Sequence, residues 1–321
     1  MSRIMIAPPA PAIRTTLFML TTTALIAACA DAPTAAPHAP SGDLRAQAAV
    51  GPKPSQGRIV YSSTVSGDYH IYVYDHASRT TKRLTNNPAG ANTEPSLSPD
   101  GRRVVWLRFD AGMHLWASNT DGTKLERLTT QPEPYLEGPS YSPDMKRLVV
   151  TANNKSTGVA HLHLFDLKTR QFTPIGDPNA IAYGADWSPD GKRIAYGASN
   201  GVRQVLFTMK ADGTDVQELV NACPVGYSCK YPRWSPDGTQ IAFEAAGNGI
   251  WVYRFATDAS QQQVADGERP MWSPDGTKLG FHRATQFPFE ATLLMVGYPV
   301  PGVPEQLLAG LVSLHGTDWS K

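Results

Sequence analysis

The sequence is short of the features that mark an enzyme or a nucleic-acid-binding protein. It has three cysteines, and its 29 basic residues nearly balance its 28 acidic ones, for a net charge of +1. Near-neutral charge argues against a nucleic-acid partner and against a polybasic membrane patch. A Gly-x-Ser-x-Gly elbow, a phosphate-binding glycine loop and a His-Glu-x-x-His motif are all absent. We therefore expect a protein that is not an enzyme and that has no cofactor, no catalytic residues and no metal site.

What the sequence does contain is a repeat. Trp-Ser-Pro-Asp-Gly or a near copy of it recurs along the chain, at intervals of about 40 to 45 residues that are typical of blade-type repeats. The copies are PSLSPDGRRVVW (95–106), PSYSPDMKRLVV (139–150), ADWSPDGKRIAY (185–196), PRWSPDGTQIAF (232–243), PMWSPDGTKLGF (270–281) and TDWSK (317–321).

Each copy predicts a β-hairpin. Proline at the second position of a tight turn presets φ, aspartate tolerates the bridge conformation, and glycine accepts the left-handed one. Alternating residues on either side predict strands. The second copy has Met145 in place of glycine. Because a bulky residue at positive φ costs on the order of 1 kcal/mol, we expect that turn to be distorted or of another type.

A third and a fourth strand follow each hairpin. In the first unit, residues 71–74 predict the third strand and residues 82–85 the fourth. Residues 115–118 with 126–129, and residues 206–209 with 217–220, repeat the plan. Four antiparallel strands per repeat make a propeller blade.

The two ends of the repeat region complete one another. Residues 57–62 predict a second strand without its first, and residues 317–320 a first strand without its second. Pairing them would complete a sixth blade and remove two exposed sheet edges. The sequence therefore predicts an all-β, six-bladed propeller of four-stranded antiparallel blades, closed by its N-terminal and C-terminal strands.

The motifs WSPDG followed by IAY or IAF, IYVYD and RLT resemble the WD40-like propeller repeats of the TolB family. The resemblance covers about residues 57–321 and implies a six-bladed propeller that binds a protein or peptide of the cell envelope. TolB also carries an α/β domain before its propeller. Residues 29–57 are too few for such a domain, so functions that depend on it are not implied.

The N-terminus indicates export. Arg3 and Arg14 precede a 14-residue apolar run at 15–28, which is too short for a membrane span and fits a signal peptide. Leu-Ile-Ala-Ala-Cys at 25–29 resembles a bacterial lipobox, which implies that Cys29 is lipidated and that the protein is anchored to the outer membrane, on the periplasmic or the surface side. The alternative is an ordinary cleaved secretory signal.

The following segment, residues 29–56, is rich in alanine and proline and has hardly a large apolar residue. It cannot bury enough surface to offset its ordering entropy, so we expect a disordered tether. The alternative is that part of it packs on the propeller. We thus divide the chain into a signal peptide (1–28), a tether (29–56) and a propeller (57–321), which would form a monomeric head attached to the membrane through its lipid alone.

Two further cysteines, Cys223 and Cys229, are separated by five intervening residues in Cys-Pro-Val-Gly-Tyr-Ser-Cys. In an exported protein this spacing favours a disulfide, whereas in the cytosol it would suggest metal or redox chemistry. Two thiols are too few ligands for a zinc site, so we expect a disulfide.

Propeller topology predicts where a partner would bind. The loops from the fourth strand to the next first strand, and from the second strand to the third, gather on one face around the central channel, opposite the Ser-Pro-Asp-Gly turns. Residues immediately before each predicted first strand should meet at this channel mouth: Glu94, Glu137, Tyr183, Tyr231, Glu268, Arg269 and His315. Residues one before each Trp or its equivalent should line the channel wall: Ser96, Ser140, Asp186, Arg233, Met271 and Asp318. The alternative is that these are merely solvated loop and channel positions.

Other candidate residues fit less well as binding groups. Tryptophans 187, 234, 272 and 319 recur at one repeat position and should pack between blades. His161 and His163 share one face of a third strand, but two imidazoles are too few ligands for a metal site, and we expect them to pack within the blade.

Aromatic residues outside the repeat pattern are better candidates for contacting a partner: Tyr135, Tyr227, Phe287 and Phe289.

Two functions remain. The first is a lipid-anchored scaffold or receptor that binds a protein or peptide at the mouth. The second, by resemblance to propeller lyases that act on oligouronides, is a metal-dependent lyase or a glycan-binding protein. The lyase would need several histidines and a basic residue to meet in the channel. Since His161, His163 and His282 should lie away from the axis, we favour the scaffold.

Overall fold

The computed structural model describes residues 57–86, 90–133, 135–153, 158–177, 180–264, 266–284, 291–299, 304–311 and 314–320. It contains the following strands in chain order: β1 (Arg58–Ser63), β2 (His70–Asp75), β3 (Thr80–Arg83), β4 (Ala91–Leu97), β5 (Arg103–Phe109), β6 (Met113–Asn119), β7 (Glu126–Arg127), β8 (Leu136–Tyr141), β9 (Arg147–Asn153), β10 (Ala160–Asp166), β11 (Phe172–Pro174), β12 (Ala182–Trp187), β13 (Arg193–Ser199), β14 (Gln204–Lys210), β15 (Gln217–Glu218), β16 (Cys229–Trp234), β17 (Gln240–Ala245), β18 (Ile250–Arg254), β19 (Ala259–Val264), β20 (Glu268–Trp272), β21 (Lys278–Ala284), β22 (Ala291–Gly297), β23 (Glu305–Leu311) and β24 (Leu314–Ser320).

These strands form six four-stranded antiparallel sheets, which are the blades of a propeller. Blade 1 is ordered β24-β1-β2-β3, blade 2 is β4 to β7, blade 3 is β8 to β11, blade 4 is β12 to β15, blade 5 is β16 to β19 and blade 6 is β20 to β23. β24 pairs with β1 from Arg58 opposite Ser320 to Ser63 opposite Leu314. The predicted fold and its closure by the two end strands are confirmed.

The Ser-Pro-Asp-Gly segments form the predicted hairpin turns. In blade 2, Gly101 N donates to Ser98 O at 2.8 Å, and Ser98 Oγ donates to the Asp100 carboxylate at 2.6 Å. The Arg103 backbone amide donates to Ser98 Oγ. The bond from Ser98 lowers the pKa of Asp100, and the corresponding serine does the same for Asp144, Asp190 and Asp237. The motif is therefore explained by turn formation.

The turn at Met145 keeps the common geometry, contrary to our expectation. Met145 N donates to Ser142 O at 2.8 Å, as Gly101 N does to Ser98 O, and Met145 has φ of 57°. The prediction of a distorted turn was wrong because the hairpin on either side fixes the backbone. The methionine side chain is 44% exposed.

The hydrophobic core lies between neighbouring blades. Trp187, Trp272 and Trp319 are buried at 5%, 5% and 6% exposure and belong to inter-blade clusters, as predicted. Trp234 is half-buried and stacks on Phe255 at 5.2 Å. Burying these indoles supplies much of the hydrophobic stabilisation that holds adjacent sheets together.

The outermost strands are short and partly displaced from their predicted positions. β3 covers residues 80–83 and its side chains are exposed, whereas the sequence predicted residues 82–85. β7 and β15 each contain two residues. Because an outer strand packs on one side only, hydrophobic periodicity defines its ends poorly.

A disulfide joins Cys223 and Cys229, as predicted, in the loop that leads from blade 4 into blade 5. The predicted signal peptide, the tether and Cys29 lie outside the described residues. In the part of the chain that the structure describes, no helix is long and apolar enough to span a membrane.

Candidate functional site

The innermost strand of each blade from 2 to 6 contains a β-bulge at the same place. In blade 2, Thr93 pairs with Leu107 and Ser96 pairs with Val105. Between these two pairs the chain advances three residues along β4 but only two along β5, so β4 contains one extra residue. The same extra residue appears in β8, β12, β16 and β20. The predicted mouth residues therefore lie within the first strands and not before them, because each strand begins earlier than the hydrophobic pattern indicates.

One residue of each bulge has a left-handed backbone. Blades 3 and 4 have Gly138 and Gly184 there, whereas blades 2, 5 and 6 have Glu94, Tyr231 and Arg269 at φ of 52°, 50° and 48°. Glycine is the usual residue in such a bulge, and a larger residue costs about 1 kcal/mol or more. The other described non-glycine residues with positive φ all lie outside strands. Three bulky residues at strained strand positions thus meet at one end of the channel.

The predicted mouth residues occupy two different repeat positions. Glu94, Tyr231 and Arg269 stand at the left-handed position. The residues one position earlier are Glu137, Tyr183, Glu268 and His315. Glu268 is exposed, and His315 lies in β24 with its side chain outside the described ones. Gly138 and Gly184 mark the left-handed position in the sequence.

Arg269 is the centre of the mouth. Its Nη1 lies 3.1 Å from Glu94 Oε1, and its Nη2 donates to Tyr231 Oη at 3.2 Å. The guanidinium carbon lies 4.2 Å from the centroid of the Tyr231 ring. Burial alone would lower the pKa of Arg269, but the combined effects of Glu94, Tyr231 and Glu137 outweigh it and the pKa is raised. The arginine is therefore a fixed cation.

Glu137 is a second ionisable residue of the mouth, and its charged form is less well stabilised by its neighbours than that of Arg269. Burial and the neighbouring Glu94 carboxylate raise its pKa, although a hydrogen bond from the Tyr135 hydroxyl and the charge of Arg269 oppose the shift. Tyr135 was predicted as a partner-contacting aromatic residue, and here it orients Glu137. Burial also raises the pKa of Tyr183, whose buried hydroxyl has no hydrogen-bond partner among the described residues.

Sequence reasoning missed two members of the mouth. The Arg269 backbone amide donates to Glu244 Oε2 at 3.2 Å, and burial raises the pKa of Glu244. The positive charge of Lys230 acts on both Glu137 and Glu244. Glu244 lies on a second strand, β17, where no motif singles it out. Lys230 stands at the same repeat position as Glu137, so the blade alignment could have found it.

Below the mouth, the predicted wall residues form a hydrogen-bonded layer. Asp318 Oδ2 accepts from Ser96 Oγ at 3.0 Å and from Leu97 N at 2.8 Å, which ties blade 1 to blade 2. Asp186 of blade 4 joins both of its neighbours: its carboxylate accepts from Ser140 Oγ of blade 3 at 3.0 Å and from Trp234 N of blade 5 at 2.8 Å. These aspartates fasten neighbouring blades.

The layer encloses a cavity of about 20 Å³, room for about one water molecule. Glu94 lines it from the mouth side, and Asp186, Arg233 and Asp318 line it from below. Burial raises the pKa of Asp318 to about 6 and also raises that of Asp186, while the charge of Arg233 opposes both shifts. The channel is therefore narrow and polar at this depth.

Met271 does not belong to this layer. We expected it at the wall, but its side chain is 1% exposed and packs in a hydrophobic cluster with Ile59, Leu293 and Trp319. A Cβ on Gly280 would lie 2.6 Å from Met271 Cε. The missing side chain at Gly280 lets the methionine turn into the inter-blade core.

Two of the three histidines lie on an outer part of their blade, whereas His282 stands on its second strand at the repeat position that Glu244 occupies in blade 5, so the expectation that it lies away from the axis was wrong. His161 and His163 are on β10, a third strand, and His282 on β21, a second strand, pairs with Thr317 at 2.9 Å. Within the described residues, no group of three or more His, Cys, Asp or Glu side chains is arranged to hold a metal ion. Tyr227 is 37% exposed in the disulfide loop, and Phe287 and Phe289 lie outside the described residues.

Comparison with known proteins agrees with the geometry. The family model described as the TolB beta propeller domain matches residues 46–220 and 133–295. The chain belongs to the TolB β-propeller family.

Solved structures with the same fold have little sequence in common with it. TolB from Acinetobacter baumannii aligns with a TM-score of 0.68 at 19% identity, over 82% of this chain and 66% of that one, so the chain spans about two thirds of its length. A chain of a nidogen/laminin complex aligns with a TM-score of 0.64 at 11% identity, over 83% and 98%. An oligogalacturonate lyase in complex with manganese aligns with a TM-score of 0.56 at 16% identity, over 75% and 71%.

Proposed function

We propose that the protein is a non-enzymatic scaffold or receptor of the cell envelope, and that it binds a protein or peptide partner at the channel mouth. One observation carries the proposal: Glu94, Tyr231 and Arg269 hold strained backbone conformations that glycine would adopt without cost. Backbone strain of this kind is concentrated at functional sites, where the side chain is needed for binding or catalysis. The side chains of all three meet in one polar cluster.

The chemistry of the mouth suits recognition of a polar segment. It offers the carboxylates of Glu94, Glu137 and Glu244, the hydroxyl of Tyr183 and the guanidinium of Arg269 around one opening. Below it the channel narrows to a cavity of about 20 Å³. A folded partner would therefore contact the rim and insert no more than a side chain or a chain end.

The experiment is capture of partners from envelope extract by affinity-tagged protein. We compare the native chain with E94Q, E137Q and R269K, which keep the size of each side chain, and with E94A/E137A/R269A. The matched control is K192A/D212A, two exposed residues at the turns on the opposite face. We expect the mouth variants to recover less of a partner that native and control proteins both retain, with unfolding midpoints confirming that each variant is folded. Equal recovery by all of them would contradict the proposal.

We also propose that the chain is exported as a lipoprotein: residues 1–28 are the signal peptide, Cys29 carries the lipid, residues 29–56 are the tether, and the outer membrane is the destination. Support comes from the lipobox-like sequence and from the family, whose model is named for TolB. In detergent phase partition, the native protein should enter the detergent phase and C29S the aqueous phase. Separating the membranes on a density gradient identifies the membrane, and an unchanged detergent fraction for C29S would refute the anchor.

The second candidate function, a metal-dependent oligouronide lyase or glycan-binding propeller, has one observation in its favour: the structural similarity to an oligogalacturonate lyase in complex with manganese. At 16% identity that similarity concerns the fold alone. Eliminative cleavage of oligogalacturonate produces an unsaturated product that absorbs in the ultraviolet. Manganese-dependent growth of that absorbance with purified protein, lost in R269K, would favour the lyase over the scaffold.

A further inference from the structure

Two loops on the mouth face of blades 4 and 5 hold apolar side chains in solvent. The first, residues 200–203, joins β13 to β14 and carries Val202. The second, residues 219–228, leads from β15 to β16 and carries Val225 and Tyr227. Val202, Val225 and Tyr227 are 89%, 93% and 37% exposed, and no large apolar side chain of the described residues is more exposed than the two valines. We call these three residues the valine patch.

Arg203 fastens the two loops to each other. Its Nη1 donates to the carbonyl oxygen of Pro224 at 2.8 Å and to that of Tyr227 at 2.7 Å. Arg203 directly follows Val202 in the chain, and Pro224 directly precedes Val225. The guanidinium therefore holds the segments that carry the two valines side by side, so that they form one patch. Apolar residues grouped in this way on a surface mark interaction sites, unlike those scattered singly.

Each loop is also fixed internally. Asn200 Oδ1 accepts from two backbone amides of its own loop, at 3.1 and 3.2 Å. In the second loop, Tyr227 N donates to Pro224 O at 3.2 Å, and the disulfide closes the segment with both cysteines buried at 7% and 0% exposure. Ordering these residues costs conformational entropy, yet the valines remain in water. The patch is thus organised in advance of any contact, which lowers the cost of binding.

The patch is continuous with the mouth. β16 begins at Cys229, where the second loop ends, and reaches the mouth residue Tyr231 two residues later. A Cβ on Gly197 would lie 3.0 Å from Cε2 of Tyr183 and 3.5 Å from the carbonyl oxygen of Cys229. The end of the disulfide loop and the ring of Tyr183 therefore lie against the same glycine, and the valine patch borders the mouth on blades 4 and 5.

The mouth alone offers a partner little surface. The channel narrows to a cavity of about 20 Å³, so only a side chain or a chain end can enter. A specific protein interface buries roughly 800 Å² on each partner, and its centre is more apolar than the rest of the surface. A partner whose polar group enters the mouth must therefore cover neighbouring surface as well, and the valine patch supplies apolar surface next to that opening.

The position of the patch favours a polypeptide over a lipid bilayer as its occupant. The chain enters the propeller at Arg58, beside Gly101 and Thr120 on the turn face. The valine patch lies on the opposite face, away from the point at which the predicted tether would join the propeller.

We propose that the valine patch binds an apolar segment of the same polypeptide partner whose polar side chain or chain end enters the mouth. The inference rests on the proposed function and adds the chemistry of the partner, in which apolar side chains lie beside the polar group that enters the mouth. Burial of the valines contributes affinity, and the charged groups of the mouth select the polar group.

The probe is a library of random short peptides displayed on phage and selected on the immobilised full-length chain. The selected peptides are synthesised with a fluorophore, and their dissociation constants are measured by fluorescence anisotropy. V202S/V225S, the patch variant, tests the patch. E94Q/R269K, the mouth variant, tests the proposed function.

The matched control is L125S/V216S. Leu125 and Val216 are 58% and 46% exposed in turns on the opposite face, so the control also removes two exposed apolar side chains. We expect the patch variant to bind the selected peptides about 10-fold or more weakly, because burying one valine side chain already contributes about that factor. The mouth variant should also bind more weakly, and the control should match the native chain. Unfolding midpoints verify that each variant is folded.

The outcomes separate this inference from the proposed function. Peptides weakened by the mouth variant alone would overturn the role of the patch and leave the proposed function intact. Peptides weakened by the patch variant alone would contradict binding at the mouth and keep the patch as a docking surface. Equal binding by all four proteins, or the selection of no peptide, would overturn the inference.

Two further measurements test other occupants of the patch. In sedimentation velocity, a dimer of the native chain that the patch variant disperses would show that a second copy covers the patch. In the C29S background, binding to phosphatidylglycerol vesicles that the patch substitutions abolish would assign the patch to the membrane. Either result would overturn the proposed polypeptide segment.

Discussion

Arg269 Nη1 lies 3.1 Å from Glu94 Oε1, although 175 residues separate the two in the chain. Both residues occupy the bulge position of their blades, and both have left-handed backbones. Their blades flank blade 1, so the ion pair spans the channel mouth in front of the blade that the two end strands complete. The pair is thus a contact between blades that are not neighbours.

We predict a substantial coupling energy between these two residues. The side chains are 23% and 15% exposed, so removing one partner leaves a poorly solvated charge. A double-mutant cycle of E94Q and R269Q, measured by chemical denaturation, should give a coupling free energy of about 1–3 kcal/mol. The control is the Arg193–Asp215 pair at 2.9 Å, with side chains 26% and 35% exposed, whose R193Q/D215N cycle should give about 1 kcal/mol or less. Equal coupling in the two cycles would contradict our description of the mouth.

Met145 offers a test of backbone strain without loss of contacts. It has φ of 57°, is 44% exposed, and stands where the other complete Ser-Pro-Asp motifs have glycine. M145G should raise the free energy of unfolding by about 1 kcal/mol, because glycine adopts this conformation without steric cost. M145A keeps a Cβ and should give little or no gain. A denaturant midpoint that does not rise in M145G would show that the turn is not strained.

The channel layer should make stability depend on pH through Asp318. Burial raises its folded pKa to about 6, and the unfolded value is 3.8. Between these values the folded state keeps a proton that the unfolded state has lost, so stability falls as pH rises. The full shift corresponds to about 3 kcal/mol.

Comparison with D318N isolates this contribution from other titrating groups. The free energy of unfolding of the native protein relative to D318N should decrease between about pH 4 and pH 6. The measurement is urea denaturation across that range. A constant difference between the two proteins would mean that Asp318 is already ionised at low pH in the folded state.

The hydroxyl of Thr129 should stabilise blade 2 through its buried hydrogen bonds. It contacts His114 Nδ1 at 3.0 Å and accepts from Leu115 N at 3.2 Å, all in a buried setting. T129V leaves both groups without a partner and should destabilise the protein by about 1–3 kcal/mol. T129S keeps the hydroxyl and should lose less. If thermal unfolding shows the two variants to be equally stable, the hydrogen bonds to Thr129 contribute nothing net.

The repeat made the fold predictable to the level of strand pairing. Proline, aspartate and glycine at fixed offsets define each hairpin locally, so the five complete turns and the closing pair of strands could be read from the sequence. Outer strands such as β3 were misplaced because a strand packed on one side has little hydrophobic pattern. Met145 was misjudged because the flanking strands, and not the residue itself, set its φ.

The sequence predicted which residues lie near the channel mouth, but it did not predict how their side chains contact one another. Glu94 and Arg269 were identified because they precede a recurring motif, but their contact depends on how bulges on separate blades turn their side chains. Glu244 belongs to a second strand and contributes through a hydrogen bond from a backbone amide, which no spacing in the sequence reveals. The buried position of Met271 likewise depends on the absent side chain of Gly280.

The pairing of β24 with β1 has a mechanical consequence. β1 lies between β24 and β2, and the chain enters it at Arg58, beside Gly101 and Thr120 on the turn face. Any tension transmitted along the preceding segment therefore acts first on the strand that closes the ring. The antiparallel hydrogen bonds on both sides of β1 bear that load together, so pulling hard enough to detach β1 would open the propeller itself.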